Sequence, residues 1–365
     1  MSDMSTNEFA PDYASPPGDT LLEALEERGM SQAELAERTG RPRKTINEVI
    51  RGRAEITPET ALQLEYVLGI PAHFWNNRER RYREALARLD ERERLGKDLA
   101  FLQKVPVKAM TKCGWLPNVK DPIEQIRAVL SFFGVASPEA FSEWAAERTP
   151  SFRQSRAHAI DPYAVLAWIR KGEIEARRCE CAPYDQQLFR RNLIAIRGLT
   201  RQPVEVFEPR MKDLCAAAGV ALVFVPELPR TCAWGVTQWL STDRALVQLS
   251  LRYKTDDHLW FTFFHEAGHL LLHGKRGVFV ESGRAKDARE EEADRFAGDF
   301  LISPAQMEAV RRLALYSRSA VNAMATRIGI APGILVGRLQ HERLIPPSHL
   351  NDLKRHLQFR SSNEG

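Results

Sequence analysis

The sequence predicts an α+β multidomain protein with an all-α N-terminal domain, a helical middle region, an α+β domain and a helical C-terminal tail. Three observations support this prediction. Short amphipathic segments with capping residues follow one another near the N-terminus, strand-like segments occur only after Pro203, and a strongly apolar helix follows those strands. A chain of 365 residues, 44% hydrophobic and 27% charged, is long enough for two or three globular domains.

Composition narrows the class of protein. The N-terminus is polar and acidic, and no apolar run approaches membrane-spanning length, which predicts a cytoplasmic protein with no membrane partner. Five scattered cysteines predict reduced thiols, and the C-x-C pair Cys179 and Cys181 lacks the further ligands that a metal site needs. A formal net charge of +4 is too small to indicate nucleic-acid binding, so local clusters of basic residues must decide.

The N-terminal region predicts a disordered tail at residues 1–19 and a domain of short helices at residues 20–95. Ser31 and Glu34 form a capping-box pattern at the start of the second helix. Apolar residues at helical spacing in the second and third segments, with a Gly-containing turn between them, indicate a helix-turn-helix. The alternating arginines and glutamates of residues 78–97 continue the fifth helix as a solvated surface.

The third of these segments, RPRKTINEVIRGR, is the candidate DNA-reading element, because it carries five basic residues against one acidic residue. Side chains predicted to face base edges are Arg43, Lys44, Thr45, Asn47 and Glu48, and those predicted to face phosphates are Gln32 and Arg51. A single unit binds double-stranded DNA weakly, so we expect a homodimer that reads two half-sites. The alternative is a helix-turn-helix kept only for dimerisation or for docking a partner.

Three further regions follow. Residues 96–202 are predicted to be helical, and their aromatic residues are interpreted as core rather than as cofactor contacts. Residues 203–310 form the predicted α+β domain, in which a helix precedes the strand-like segments VALVFVPEL, AWGVTQWLS and RALVQLSLR. Residues 311–365 contain two helices around a turn, which we interpret as a packing element; a second helix-turn-helix is less favoured because its second helix is apolar.

The segment FFHEAGHLLLH carries the chemistry. On a helix, positions i and i+4 lie about 40° apart and roughly 6 Å along the axis, so His265 and His269 project from one face and can bind one divalent ion. Glu266 lies beside that face, where it can act as general base on a water molecule without being a ligand. The helix is apolar nearly all round, so these side chains are expected to be buried; a pair of ordinary core histidines is the alternative.

A third ligand is predicted on the following helix, REEEADRFAGDFL. Helical projection places Glu290 on the inward face, together with Asp294 one turn later, and the neighbouring glutamates on the outward face. Asp294 is placed to accept the free N–H of a ligand histidine. Two histidines, one glutamate and a position left for water are typical of catalytic zinc, although Mn²⁺ also accepts these ligands.

Two further histidines and one strand lie near this helix in the sequence and are not predicted to bind the metal. His258 and His273 are predicted to be outer-shell or surface groups, because neither is placed to share the ion. The strand RALVQLSL, just before the helix, is predicted to offer an exposed edge along which an extended peptide substrate can pair.

The residues also carry two family resemblances. HEAGHLLLH followed by EEEADRFAGDFLIS resembles the zincin-like ImmA/IrrE-type zinc metallopeptidases, over roughly residues 203–310. The resemblance implies His265, His269 and Glu290 as zinc ligands, Glu266 as catalytic base, and a transcriptional repressor cut under stress as substrate. Separately, SQAELAERTG and ITPETALQLEYVLGIPAHFW resemble the helix-turn-helix of HigA-type toxin-antitoxin antitoxins and phage repressors.

Two functions remain open at this point. The first is a DNA-binding transcriptional regulator fused to a zinc metallo-endopeptidase that cleaves a repressor or antitoxin. The second is an antitoxin-like or repressor-like transcription factor whose peptidase fold is catalytically idle and serves for sensing or partner docking. The presence of Glu266 favours the enzyme, because an idle domain would be free to lose that base.

Overall fold

The computed structural model describes most of the chain, namely residues 14–148, 160–252, 254–274, 279–280 and 288–358. The chain forms two compact units, which meet in the sequence at Leu99 and Ala100. All five cysteines are free. No single helix in the described ranges is long and apolar enough to cross a membrane; only the bent pair Arg318–Ile328 and Pro332–His341 passes that test together, by length and composition.

The described part of the N-terminal unit is helical, as predicted. Its helices are α1 (Pro17–Glu27), α2 (Gln32–Thr39), α3 (Arg43–Ile50), α4 (Pro58–Leu68) and α5 (Ala72–Lys97). The Ser31 side chain accepts a hydrogen bond from the Glu34 backbone N–H, and Gly40 ends α2 in the left-handed conformation. The five helices share one apolar core, which includes Leu21, Leu35, Ile46, Leu64 and Trp75.

The predicted disordered tail, residues 1–19, extends too far along the chain. Residues 1–13 lie outside the described residues, but residues 17–19, which were assigned to the tail, form the first turn of α1. Pro17 suits this first turn because a helix leaves that N–H unused. Gly18 is buried so closely against the Ile50 backbone that an added Cβ would overlap it, so packing holds this turn in place.

The C-terminal unit begins with helices. They are α6 (Val107–Lys112), α7 (Pro122–Phe133), α8 (Pro138–Arg148), α9 (Pro162–Arg177), α10 (Gln186–Gly198) and α11 (Val204–Ala217), with 3-10 turns at Leu99–Gln103 and Leu199–Arg201. Aromatic residues of this stretch pack on one another, as in the edge-to-face contact of Phe133 with Phe141. Trp168 of α9 is fully buried and its indole N–H donates to the Val225 carbonyl.

A sheet of four strands follows. The strands are β1 (Val220–Phe224), β2 (Gly235–Ser241), β3 (Arg244–Leu249) and β4 (Phe279–Val280), in the order β1-β3-β2-β4. β1 is parallel to β3, whereas β2 is antiparallel to both β3 and β4. β4 lies in the segment between His273 and Ala288, most of which lies outside the described residues.

This topology corrects the peptide-edge prediction. β3 contains the segment RALVQL and lies between β1 and β2, so its backbone is paired on both sides and offers no edge to a substrate. The local alternation of residues predicts a strand but not its neighbours, because strand order depends on pairing between distant segments.

Helices cover both faces of the sheet. α12 (Asp256–Leu272) packs on one face and α9 on the other, and side chains alternate along each strand to meet them. On β2, Gly235 and Thr237 face α12, whereas Val236 belongs to the core shared with α9. The remaining helices are α13 (Ala288–Leu301), α14 (Pro304–Arg311), α15 (Arg318–Ile328) and α16 (Pro332–His341), with a 3-10 turn at Asn351–Leu353.

The largest core extends beyond the α+β region. It joins buried residues of α10 and α11 with the sheet, α12 and α13, and it also takes in α15 and α16. The finer domain limits at residues 95, 202 and 310 stay a prediction.

Candidate metal centre and candidate DNA-binding helix

The metal centre is built on α12, which begins at Asp256 and carries two aspartates in its first turn, where the helix dipole favours negative charge. The helix is buried as its composition predicts, with Trp260, Phe263 and Phe264 in the core. His265 and His269 are each 1% exposed, so they project into the interior of the unit rather than into solvent.

Three predicted ligands meet at one point. The Nε2 atoms of His265 and His269 are 2.9 Å apart. Glu290 of α13 places Oε2 3.2 Å from His265 Nε2 and Oε1 3.5 Å from His269 Nε2. One ligand atom from each residue lies within 4.8 Å of the other two, and no other such group of His, Cys, Asp or Glu occurs among the described residues. The inward orientation predicted for Glu290 is therefore observed.

The second ring nitrogen of each histidine also has a partner. His265 Nδ1 lies 2.9 Å from Asp294 Oδ1, as predicted from the helix projection. His269 Nδ1 lies 2.9 Å from His273 Nδ1, and His273 Nε2 lies 3.1 Å from Glu292 Oε2. His273 is thus in direct contact with a candidate ligand, whereas His258 is exposed near the start of α12.

Glu266 is fully buried beside this cluster. The Thr237 hydroxyl of β2 lies 2.6 Å from Glu266 Oε2, where it donates a hydrogen bond to the carboxylate. Gly235, two residues earlier on the same face of β2, leaves the space that the carboxylate occupies, because an added Cβ would overlap Glu266 and Thr262. The sheet therefore determines where this carboxylate lies.

Electrostatics favour the metal-binding forms of two candidate ligands, Glu290 and His269. Burial raises the pKa of Glu290, but hydrogen bonds and charge from His265 and His269 outweigh burial and hold that pKa at about 2. Burial lowers the pKa of His269, against the opposing hydrogen bond to Glu290. An ionised carboxylate and a neutral imidazole are the forms that bind a metal, so protons compete weakly at neutral pH.

The donor set fits a divalent ion. Two imidazole nitrogens and one carboxylate converge, and an ion with only three protein ligands keeps a position for water or substrate. The imidazole and carboxylate donors suit zinc and also manganese, whereas calcium and magnesium prefer sites made wholly of oxygen atoms.

The start of α12 is held by the end of the described chain. The Arg355 backbone N–H donates to Asp256 Oδ1 at 3.0 Å, and Arg355 Nε donates to Asp256 Oδ2 at 2.9 Å. Lys354 Nζ lies 2.7 Å from Asp257 Oδ2. Burial raises the pKa of Asp256, and the hydrogen bonds and charge of Arg355 offset only part of that increase.

In the N-terminal unit, α3 has one buried and one accessible face. Ile46, Val49 and Ile50 are buried. The seven side chains predicted to contact DNA are all exposed or half-buried: Gln32, Arg43, Lys44, Thr45, Asn47, Glu48 and Arg51. Their placement leaves α3 accessible to a groove of DNA.

A polar cleft of about 540 Å³ lies next to α3. It is lined by Arg41, Arg53 and Arg83 together with threonine hydroxyls from α3 and from the start of α4. Arg41 donates to Gln63 Oε1 at 2.5 Å, and Arg83 donates to Glu79 Oε1 at 2.6 Å, so two of the three guanidinium groups are held by neighbours. Arg53 is exposed.

Four residues at the candidate metal centre make contacts that were not predicted from the sequence. These are Gly235, Thr237, His273 and Glu292. His273 carried a signal, because it follows His269 at the same four-residue spacing that pairs His265 with His269. Thr237 carried none, since only the packing of β2 on α12 brings it to Glu266.

The two sites define a class of protein: a helix-turn-helix domain of the transcription-regulator kind, combined with a domain of the metallopeptidase type. Residues 21–75 match the helix-turn-helix family, and residues 240–340 match the family of the IrrE N-terminal-like domain. The chain therefore carries both domains, and the predicted combination is confirmed. The second match includes His265, His269 and Glu290.

Three similar proteins each cover about a fifth of the chain. The uncharacterized HTH-type transcriptional regulator YddM of Escherichia coli (strain K12) is 34% identical over 61 residues, which is 17% of this chain and 65% of that regulator. A solved addiction module antidote protein of the HigA family from Coxiella burnetii is 28% identical, with 23% of this chain and 92% of that chain covered and a TM-score of 0.22.

A solved structure from Nostoc punctiforme PCC 73102, described as an antidote protein of a plasmid maintenance system, is 27% identical with the same coverage and the same TM-score. At a TM-score of 0.22 neither solved structure bears on the architecture of the whole chain.

Proposed function

We propose that the chain is a DNA-binding transcriptional regulator joined to a zinc-dependent endopeptidase, which hydrolyses a peptide bond in a regulatory protein of the repressor or antitoxin class. The observation that carries the proposal is the convergence of His265, His269 and Glu290 next to the buried carboxylate of Glu266. The match to the IrrE N-terminal-like domain over the same residues supports it.

The roles of the residues follow from their chemistry. His265, His269 and Glu290 would hold the ion, which when bound supplies Lewis-acid activation of water and of the peptide carbonyl. Glu266 takes the proton of the attacking water molecule and delivers it to the amine that leaves. The Thr237 hydroxyl donates to Glu266 Oε2 and so orients the carboxylate for that transfer.

The N-terminal unit supports the regulatory half of the proposal. The accessible face of α3 carries Arg43, Lys44 and Asn47, which suit base edges in the major groove, and Arg51 suits the phosphate backbone. Because one such helix binds DNA weakly, the regulator acts as a homodimer on two half-sites. The similarity to YddM, a transcriptional regulator by name, supports this half of the proposal.

The test uses one conservative substitution. Glu266→Gln removes the base but keeps the shape of the side chain, so this variant is expected to bind about one zinc per chain, to bind operator DNA as the wild type does, and to retain its protein substrate uncut. The substrate is identified by cross-linking to Glu266→Gln in cells and by mass spectrometry, and it is then offered to the purified zinc-loaded wild type. Glu291→Gln, an exposed glutamate of α13, is the matched control and is expected to cleave normally.

Two results would contradict the proposal. Equal cleavage by the wild type and by Glu266→Gln would remove the assigned base. A zinc-loaded wild type that binds a partner protein and cuts no peptide bond in it would instead support the idle peptidase fold, used for sensing or docking.

A further inference from the structure

The two candidate ligand histidines contact different kinds of side chain through Nδ1. His265 Nδ1–H donates a hydrogen bond directly to a carboxylate, Asp294 Oδ1, at 2.9 Å. His269 Nδ1 instead lies 2.9 Å from Nδ1 of a third histidine, His273, which in turn contacts Glu292 at 3.1 Å. We propose that His273 and Glu292 form a positioning relay, which fixes the tautomer and ring orientation of His269 and thereby sets the zinc affinity of the site.

The placement of protons defines the relay. Nε2 of His269 faces His265 Nε2 and Glu290, so this nitrogen must carry its lone pair when a metal binds, and the proton is then on Nδ1. Nδ1–H of His269 donates to Nδ1 of His273, which must therefore be unprotonated. The proton of His273 is then on Nε2, where it donates to Glu292 Oε2. One arrangement of protons satisfies all three contacts.

His273 is the C-cap residue of α12, but only its backbone takes part in the cap. Its backbone N–H already donates to the His269 carbonyl at 3.1 Å, so the end of α12 does not need the imidazole. The side chain is nevertheless 5% exposed and packs against the ligand, which places a polar ring in a buried position with both nitrogens used. Glu292, at 57% side-chain exposure, closes the relay at the surface.

The spacing along the two helices produces the relay. His265 and His269 lie one turn apart on α12, and His273 follows at the same four-residue spacing as the C-cap, so each ring contacts the next. On α13, Glu290 and Glu292 are two residues apart and point in different directions, which lets one helix supply a ligand and the end of the relay. Partners that orient a ligand histidine in this way typically contribute 10- to 100-fold in metal affinity.

The test measures zinc affinity directly, by competition of the purified full chain with a chromophoric chelator. His273→Phe keeps an aromatic ring and removes both nitrogens, and we expect it to bind zinc about 10- to 100-fold more weakly. Glu292→Ala truncates an exposed side chain, keeps the fold, and is expected to weaken zinc binding several-fold. Glu291→Ala, the adjacent exposed glutamate, is the matched control and is expected to bind zinc as the wild type does.

A second readout separates positioning from packing. In the zinc-loaded wild type, proton–nitrogen correlation spectra of ¹⁵N-labelled histidines are expected to show a protonated Nδ1 on His269 that exchanges slowly with water. This signal is expected to exchange faster in Glu292→Ala and to be shifted in His273→Phe. The free energy of unfolding of the metal-free protein is expected to be the same for Glu292→Ala and Glu291→Ala.

The relay is refuted if Glu292→Ala and Glu291→Ala bind zinc equally, or if the spectra place the metal on Nδ1 of His269. It rests on the proposed metal site but not on peptide cleavage. A chain that binds zinc with the predicted rank of affinities and cuts no protein supports the relay and contradicts the endopeptidase, whereas a wild type without zinc affinity contradicts both.

Discussion

The contact between Arg355 and Asp256 is a place where one substitution should disturb the start of α12, the helix that carries the candidate ligand histidines. The Arg355 side chain also donates to the Gln202 and Thr200 carbonyls, so its replacement removes those hydrogen bonds as well. Asp256 is fully buried at the first turn of α12, and Arg355 binds both of its oxygens. Arg355→Met keeps most of the side-chain volume and removes the charge. Because the carboxylate of Asp256 stays buried, the variant leaves a charge without its partner.

The magnitude follows from burial. Removing one partner of a buried ion pair typically costs about 3–5 kcal/mol, whereas an exposed pair contributes about 0–1 kcal/mol. The Arg355 side chain is 35% exposed, so water screens part of the interaction, and we expect a loss of about 2–4 kcal/mol in the free energy of unfolding of the C-terminal unit. Arg312→Met, in the exposed pair with Glu308 at 3.3 Å, is the matched control and should cost about 1 kcal/mol or less.

The loss should depend on pH with a defined sign. Burial already raises the pKa of Asp256, and without Arg355 that pKa rises further, so the folded state keeps a proton that the unfolded state has released. A group of this kind loses stability as the pH increases. Arg355→Met should therefore be more destabilising at pH 7.5 than at pH 5, and the double variant with Asp256→Asn should recover part of the loss.

The assay is hydrogen exchange of peptides from α12, followed by mass spectrometry across a urea series, because it reports the C-terminal unit separately. Equal losses for Arg355→Met and Arg312→Met would refute the reasoning. A larger loss at pH 5 than at pH 7.5 would refute the assigned sign.

Three further predictions concern the packing of the base and the reading of DNA. Gly235→Ala should lower the free energy of unfolding by about 1–3 kcal/mol, because the new Cβ overlaps the buried carboxylate of Glu266. Gly198→Ala, at a helical position with open space, should raise it by about 0.5–1 kcal/mol. Both are measured by urea unfolding, and changes of the same sign would contradict the close packing at Gly235. Thr237→Val should cost about 1–3 kcal/mol in the same experiment, since it removes the donor to a buried carboxyl oxygen, and a near-neutral result would show that the hydroxyl is dispensable. Arg51→Ala should weaken DNA binding evenly across sequences, and it should reduce by about 1 the slope of the logarithm of the binding constant against the logarithm of salt concentration. Asn47→Ala should cost about 1–3 kcal/mol of binding free energy, mainly at one base pair. Titrations at several salt concentrations distinguish the two variants, and identical slopes would contradict the assignment of Arg51 to phosphate and Asn47 to a base.

The spacing of neighbouring residues was sufficient to predict much of the candidate metal site. His265 and His269 were predicted as a pair because four residues bring two side chains to one face of any α-helix. The inward orientation of Glu290 and the contact of Asp294 with a candidate ligand histidine follow from the periodicity of one helix. The helices of the N-terminal unit were predictable for the same reason, since their caps and apolar stripes are local.

The sheet shows where local patterns are insufficient. The alternation in β2 and β3 predicts strands, but not that β3 lies inside the sheet, because strand order depends on which distant segments pair. The local sequence predicts Thr237 only as a strand residue, whereas the packing of β2 on α12 brings its hydroxyl to Glu266. The Arg355 contact joins residues 99 positions apart, and no local pattern marks it.

By itself, then, the sequence determined which two helices carry the candidate metal ligands and which face of α3 is left accessible, since helical geometry relates residues one turn apart whatever surrounds them. Only the tertiary structure decided what holds those side chains in place. The Thr237 hydroxyl, the His273 and Glu292 contacts and the Arg355 ion pair arise from packing between segments that are distant in the chain, and no short-range spacing encodes such packing.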